Sequence, residues 1–207
     1  MIRLPSADAL LGRVSPLWRG LAAILLLCGL TLALVESRAR ILRSGTEVRL
    51  ATAPVDPRDL FRGDYVILGY KISTLDLSRL DGDKIFERNQ PVFVRVAPGL
   101  DGLAEAKGVY LARPATGAGE TVIEGKVASA GACVANADGD PDCNAGRRAI
   151  RVTYGLESYF VPEGTGRAIE TTERKRLEIV AAVSSSGQAA IKRLLIDGKL
   201  VHQEPPY

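Results

Sequence analysis

The stretch YVILGYKIS, Tyr65 to Ser73, alternates with a period of two. Val66, Leu68, Tyr70 and Ile72 fall on one face of an extended chain, and Tyr65, Ile67, Gly69 and Lys71 on the other. One face is apolar apart from a phenol oxygen, the pattern of a strand half-buried against a core. A tyrosine among packed aliphatic residues needs a partner for its hydroxyl at the core's edge.

The same pattern recurs outward in both directions. Val48 and Leu50 share a face within Glu47–Thr52, and Val92, Val94 and Val96 within Pro91–Ala97. Lys107–Ala112 and Thr121–Val127 are weaker strands. Ala149–Tyr154 alternates Ile150, Val152 and Tyr154 with Arg151 and Thr153. Leu177–Val183 and Ala189–Ile196 flank SSSGQ, a hairpin turn, and Asp197-Gly198 marks the end of the last strand. Gly117-Ala118-Gly119 reads as a hairpin connection rather than a phosphate loop, since no lysine or helix follows it. Two short helical turns are expected. One is at Asp56–Phe61, where an N-cap precedes Pro57 and Gly63 stops the turn. The other is near residues 166–173. These elements predict a mainly β domain over 44–207, a sandwich or a partly closed barrel.

The N-terminal arm is of another kind. Leu17 to Val35, LWRGLAAILLLCGLTLALV, has Arg19 as its one charge. As a helix it spans roughly 28 Å at 1.5 Å per residue, close to the ~30 Å hydrocarbon core of a bilayer. The spacing predicts a tail over 1–16 and a single transmembrane helix over 17–40, with Trp18 as an interfacial anchor. The alternative is a cleaved signal peptide, but no small-x-small site directly follows the apolar run. Residues 1–43 carry six arginines against Asp8 and Glu36, and the remainder holds 21 basic and 22 acidic groups. The domain is thus near neutral, which argues against a nucleic-acid partner. Arginines flank both ends of the apolar run, so the positive-inside rule discriminates little between orientations.

Cys133 and Cys143 bracket the polar turn VANADGDPD. A disulfide closing that loop would place the domain outside the cytoplasm, and two unpaired thiols are the alternative. Their spacing does not suit zinc, and no histidine lies nearby. Asn136–Asp142 alternates acids as a calcium loop does, but has Pro141 where glycine is needed and no closing glutamate. No metal or other cofactor is expected. His202, the one histidine, reads as part of a solvated tail.

The segment Pro54–Asp64 packs Asp56, Asp59 and Asp64 with Arg58 and Arg62 into eleven residues. It reads either as a turn laced by arginine–carboxylate pairs or as a surface that grips a partner or ligand. VDPRDLFRGDY followed by Leu68, Tyr70 and Ile72 resembles the signature of the GDYXXLXY family of bacterial membrane-associated proteins. Tyr154–Gly164, YGLESYFVPEG, is similar to that family's second block, and AAIKRLLIDGK to its closing hairpin. The cysteine loop departs from the pattern and reads as an insertion.

The resemblance implies no particular activity. It implies a plasma-membrane protein, and a multi-pass membrane protein as partner, because such proteins are often encoded beside one. The candidate binding residues are Asp56, Arg58, Asp59, Arg62, Asp64, Tyr65, Tyr159 and Glu163. The expected function is a membrane-anchored, non-catalytic binding or assembly module, with its domain extracytoplasmic. The alternative is an extracytoplasmic hydrolase or small-ligand enzyme using the Asp64 and Tyr65 region. A signal-peptidase mechanism is excluded, since Ala51-Thr52-Ala53-Pro54 lacks the nucleophilic serine.

Overall fold

A computed structural model describes residues 15–53, 65–132, 134–135, 141–142, 149–160 and 176–205. The chain divides into two compact units, Met1–Ala39 with Tyr207, and Arg40–Pro206. Helix α1 spans Pro16–Ser44 and is long and apolar enough to cross a membrane, with none of its apolar window buried. It runs four residues beyond the expected end. The extension has a tertiary cause within the second unit, where Ile41 and Leu42 pack on Ala182 and Ala190.

The second unit is mainly β, a half-barrel of curled sheets. Its strands are β1 (Thr46–Ala53), β2 (Tyr65–Ile67), β3 (Gly69–Tyr70), β4 (Thr74–Asp76), β5 (Asp81–Gly82), β6 (Pro91–Pro98), β7 (Ala104–Tyr110) and β8 (Thr121–Ala132). They continue as β9 (Val134–Ala135), β10 (Pro141–Asp142), β11 (Ala149–Thr153), β12 (Ser158–Phe160), β13 (Leu177–Val183), β14 (Ala189–Ile196) and β15 (Lys199–Gln203). One sheet has the order β15-β14-β13-β1-β3 and the other β4-β11-β8-β6-β7-β5. β2 and β12 form a separate ribbon, as do β9 and β10.

The valines and isoleucines expected inward make the core. Val92, Val94, Val96, Ile150 and Val152 of one sheet meet Val48, Leu50, Ile179 and Leu194 of the other in one cluster. Burying each such side chain contributes about 1.5–3 kcal/mol. The turn after β13 forms as expected, with Ser184 N–H donating to the Gln188 carbonyl at 2.8 Å and Gly187 at φ +99°. The Gly117–Gly119 connection also forms, closed by Glu120 N–H on the Gly117 carbonyl at 3.2 Å.

Two expectations need correction. Tyr65–Ser73 is not one strand: it forms β2, then β3, then a 3-10 turn over Lys71–Ser73. Its apolar face is nonetheless buried, at Leu68, Tyr70 and Ile72. Nor does the last strand end the domain. Asp197 and Gly198, both at positive φ, turn the chain back into β15. The register places His202 opposite the fully buried Leu194, so this histidine belongs to the core face of a strand rather than to a solvated tail.

Gly45 joins α1 to β1. A Cβ there would sit 2.5 Å from the Ile41 carbonyl oxygen and 2.9 Å from the Val183 nitrogen. Only glycine allows the helix to pass so directly into the sheet.

Candidate functional site

The signature segment changes sheets within a few residues. In β2, Tyr65 pairs with Phe160, Val66 with Tyr159 and Ile67 with Ser158, all antiparallel to β12. Leu68 N–H donates to the Glu157 carbonyl at 2.8 Å, adding one further bond between the two segments. Gly69 and Tyr70 then pair with Ala53 and Thr52 of β1. The β1 pairing lasts only two residues, and the chain turns into the 3-10 helix.

Two tyrosines bolt this corner. The Tyr70 hydroxyl donates to the Leu156 carbonyl at 2.5 Å, and the Tyr154 hydroxyl donates to the Ile72 carbonyl at 2.6 Å. The ties are reciprocal: each segment supplies one phenol and one carbonyl. Both phenols are buried. Burial, and then the Glu157 carboxylate, holds both hydroxyls well above the usual phenol range. They are neutral donors rather than acid–base groups.

The Tyr-Gly-Leu-Glu spacing also has a local reason. Glu157 Oε1 accepts from the Tyr154 backbone N–H at 2.6 Å, and Gly155 between them is at φ +72°. A carboxylate three residues on thus caps a turn that glycine's permissive backbone allows.

These are the two sequence blocks that carried the family resemblance, and they lie side by side. The sequence model of the GDYXXLXY protein matches residues 27–194, most of the chain. The chain belongs to the GDYXXLXY family. No curated protein and no solved structure matches it. Two of the residues that give GDYXXLXY its name, Leu68 and Tyr70, are core residues at the sheet-to-ribbon corner.

Of the expected site residues, Tyr65 and Tyr159 fall on the paired strands β2 and β12, but in register Tyr159 opposes Val66. Asp56, Arg58, Asp59, Arg62, Asp64 and Glu163 lie outside the described residues, as do Cys133, Cys143 and both expected helical turns. Cys28 is exposed on α1 with a free thiol.

Tyr159 has neighbours that the sequence reading missed. It is buried, and its ring meets His202 of β15 edge-on, at 5.8 Å between centroids and 65° between planes. Its hydroxyl has no hydrogen-bond partner among the described residues. Burial, and then the nearby Glu204 carboxylate, raises its pKa, although Glu204 is not placed for a well-formed hydrogen bond. A turn at Asp197-Gly198 followed by the apolar pair Leu200-Val201 is a hairpin signal, and it brings His202 back to the sheet.

Proposed function

We propose that this protein is a membrane-anchored binding or assembly module. Residues 17–35 hold it in the plasma membrane, its β domain is extracytoplasmic, and it docks on a multi-pass membrane protein. The docking surface is the β2–β12 ribbon together with the polar Asp56–Tyr65 segment that leads into it. One observation carries the reading. The phenols of Tyr70 and Tyr154 are spent on backbone carbonyls, fastening β3 and the 3-10 turn after it to the connection between β11 and β12, next to the ribbon. Such construction delivers a rigid surface rather than a proton-transfer group. Co-purification from detergent extracts tests it: a membrane protein should accompany the intact chain and be lost with Arg62→Ala or Tyr65→Ala. A protein that purifies alone, unchanged by either substitution, refutes the proposal. A reporter fused to the C-terminus tests the topology, and cytoplasmic activity of that reporter overturns the extracytoplasmic placement.

A second reading is a hydrolase or small-ligand enzyme in the same region. Two observations favour it: the two signature blocks are paired, and the Tyr159 phenol is buried beside His202 and Glu204. It requires a turnover or ligand affinity that both Tyr159→Phe and His202→Ala abolish while the partner still co-purifies.

A further inference from the structure

We propose that β15 is a C-terminal strap that opens on its own and uncovers the Tyr159 phenol. Three observations carry this: how little β15 buries, how it is pivoted, and what it closes over.

β15 is the outermost strand of its sheet and, among the described residues, pairs with β14 alone. Four of its five residues are exposed, and only His202 is half-buried. Its two large apolar side chains lie in the open, Leu200 with 56% of its surface accessible and Val201 with 45%. The neighbouring strands are built the other way: β13 buries six of its seven residues and β14 four of its eight. Apolar burial supplies most of a strand's hold, and main-chain bonds that face water add little. The β15 ladder is also interrupted, its register with β14 shifting between Leu194 and Leu195.

The two ends of the strand are held unequally. At its start, the Asp197-Gly198 turn is tied to Arg176, the residue before β13. Asp197 N–H donates to the Arg176 carbonyl at 2.9 Å, and Arg176 Nε donates to Asp197 Oδ1 at 2.9 Å. Beyond its far end, Glu204 N–H donates to the Lys192 carbonyl at 3.0 Å. The strand thus has a clamped pivot at one end and main-chain bonding at the other.

What β15 closes over supplies the drive to open. Tyr159 of β12 is 4% exposed, and its ring meets His202 edge-on. Its hydroxyl is shut off from water without a hydrogen-bond partner among the described residues, and Glu204 stands near it without forming a good bond. A hydroxyl stripped of water and left unpaired opposes the closed state, and lifting β15 returns it to water. The phenols of Tyr70 and Tyr154 carry no such cost, because each has a carbonyl. The strap goes beyond both functional readings. In the small-ligand reading it would be the lid over the phenol.

Hydrogen exchange of the full chain in detergent micelles, followed by mass spectrometry, tests the strap with no ligand or partner, so its failure leaves both readings standing. After correction for intrinsic rates, peptides covering 199–204 should exchange at least about a hundredfold faster than those of β13 and β14. Tyr159→Phe removes the unpaired oxygen and should slow exchange in 199–204 by about five- to a hundredfold, with β13 and β14 unchanged. His202→Ala removes the ring contact and should speed it several-fold. Exchange in β15 as slow as in β14 overturns the proposal. So does unchanged exchange in either variant, or faster exchange in Tyr159→Phe, which would give the hydroxyl a partner under the closed strand. A change spread equally over β13, β14 and β15 overturns it too, since β15 would then not open separately.

Discussion

Tyr70→Phe removes one oxygen atom and leaves the ring in place. The Leu156 carbonyl, which accepts the phenol at 2.5 Å, then loses that buried donor. A buried acceptor stripped of its partner costs about 1–3 kcal/mol. For a chain of this size each kcal/mol lowers Tm by roughly 2–4 °C. A loss of ~2 kcal/mol therefore predicts a fall of about 4–8 °C, read by circular dichroism on the full chain in micelles. Tyr154→Phe should cost a similar amount, since it strips the Ile72 carbonyl. The two ties join the same two segments, so they should not be independent. Once one is cut, the corner relaxes and the second is worth less, leaving the double variant short of additive by about 0.5 kcal/mol or more. An unchanged Tm for both single variants would refute the argument that these phenols fasten this corner. Strict additivity would refute their acting as one clasp.

Other consequences are open to measurement. Both phenols have pKa values raised in the folded state above the ordinary 10.0. The unfolded chain therefore loses these protons first, and their stabilisation, complete below pH ~10, declines as pH rises through the folded values. Alkaline unfolding should begin above about pH 10 and be shallower in Tyr70→Phe, and equal slopes would contradict this. Gly45→Ala forces a Cβ against the Ile41 oxygen and should cost about 1–3 kcal/mol, seen as a lower denaturant midpoint. Glu47 has its carboxyl lowered chiefly by Lys192 and also by Arg193, so its contribution is present above pH 4.5 and lost as pH falls. The pair is solvent-accessible, so Glu47→Gln should cost under about 1 kcal/mol at neutral pH. Finally, α1 should keep the chain in membranes through alkaline carbonate extraction, with an N-terminus that still includes residues 17–35. Processing after the apolar run would make this segment a signal peptide instead.

The sequence alone determined what depends on local periodicity. Nineteen residues with a single charge suffice to specify a helix of membrane length. Period-two runs such as Pro91–Ala97 and Leu177–Val183 place their own core faces, because side-chain alternation is a property of the strand itself. Glycine-rich turns at Gly117–Gly119 and Ser184–Gln188 were legible for the same reason, since their backbone conformations are set within a few residues.

What a distant segment decides was not legible. Tyr65–Ser73 has the pattern of one strand, yet it divides between β12 and β1, because each partner offers pairing for only two or three residues. The core face of Leu68, Tyr70 and Ile72 survives that division, because burial follows the side chains and not the ladder. That Tyr70 would find the Leu156 carbonyl, and Tyr154 the Ile72 carbonyl, across more than eighty residues depended on the docking of two motif blocks. The same holds for His202, drawn to the core face by its pairing with β14. A sequence specifies which face of a strand is apolar, but only the assembled sheets decide which main-chain groups have partners.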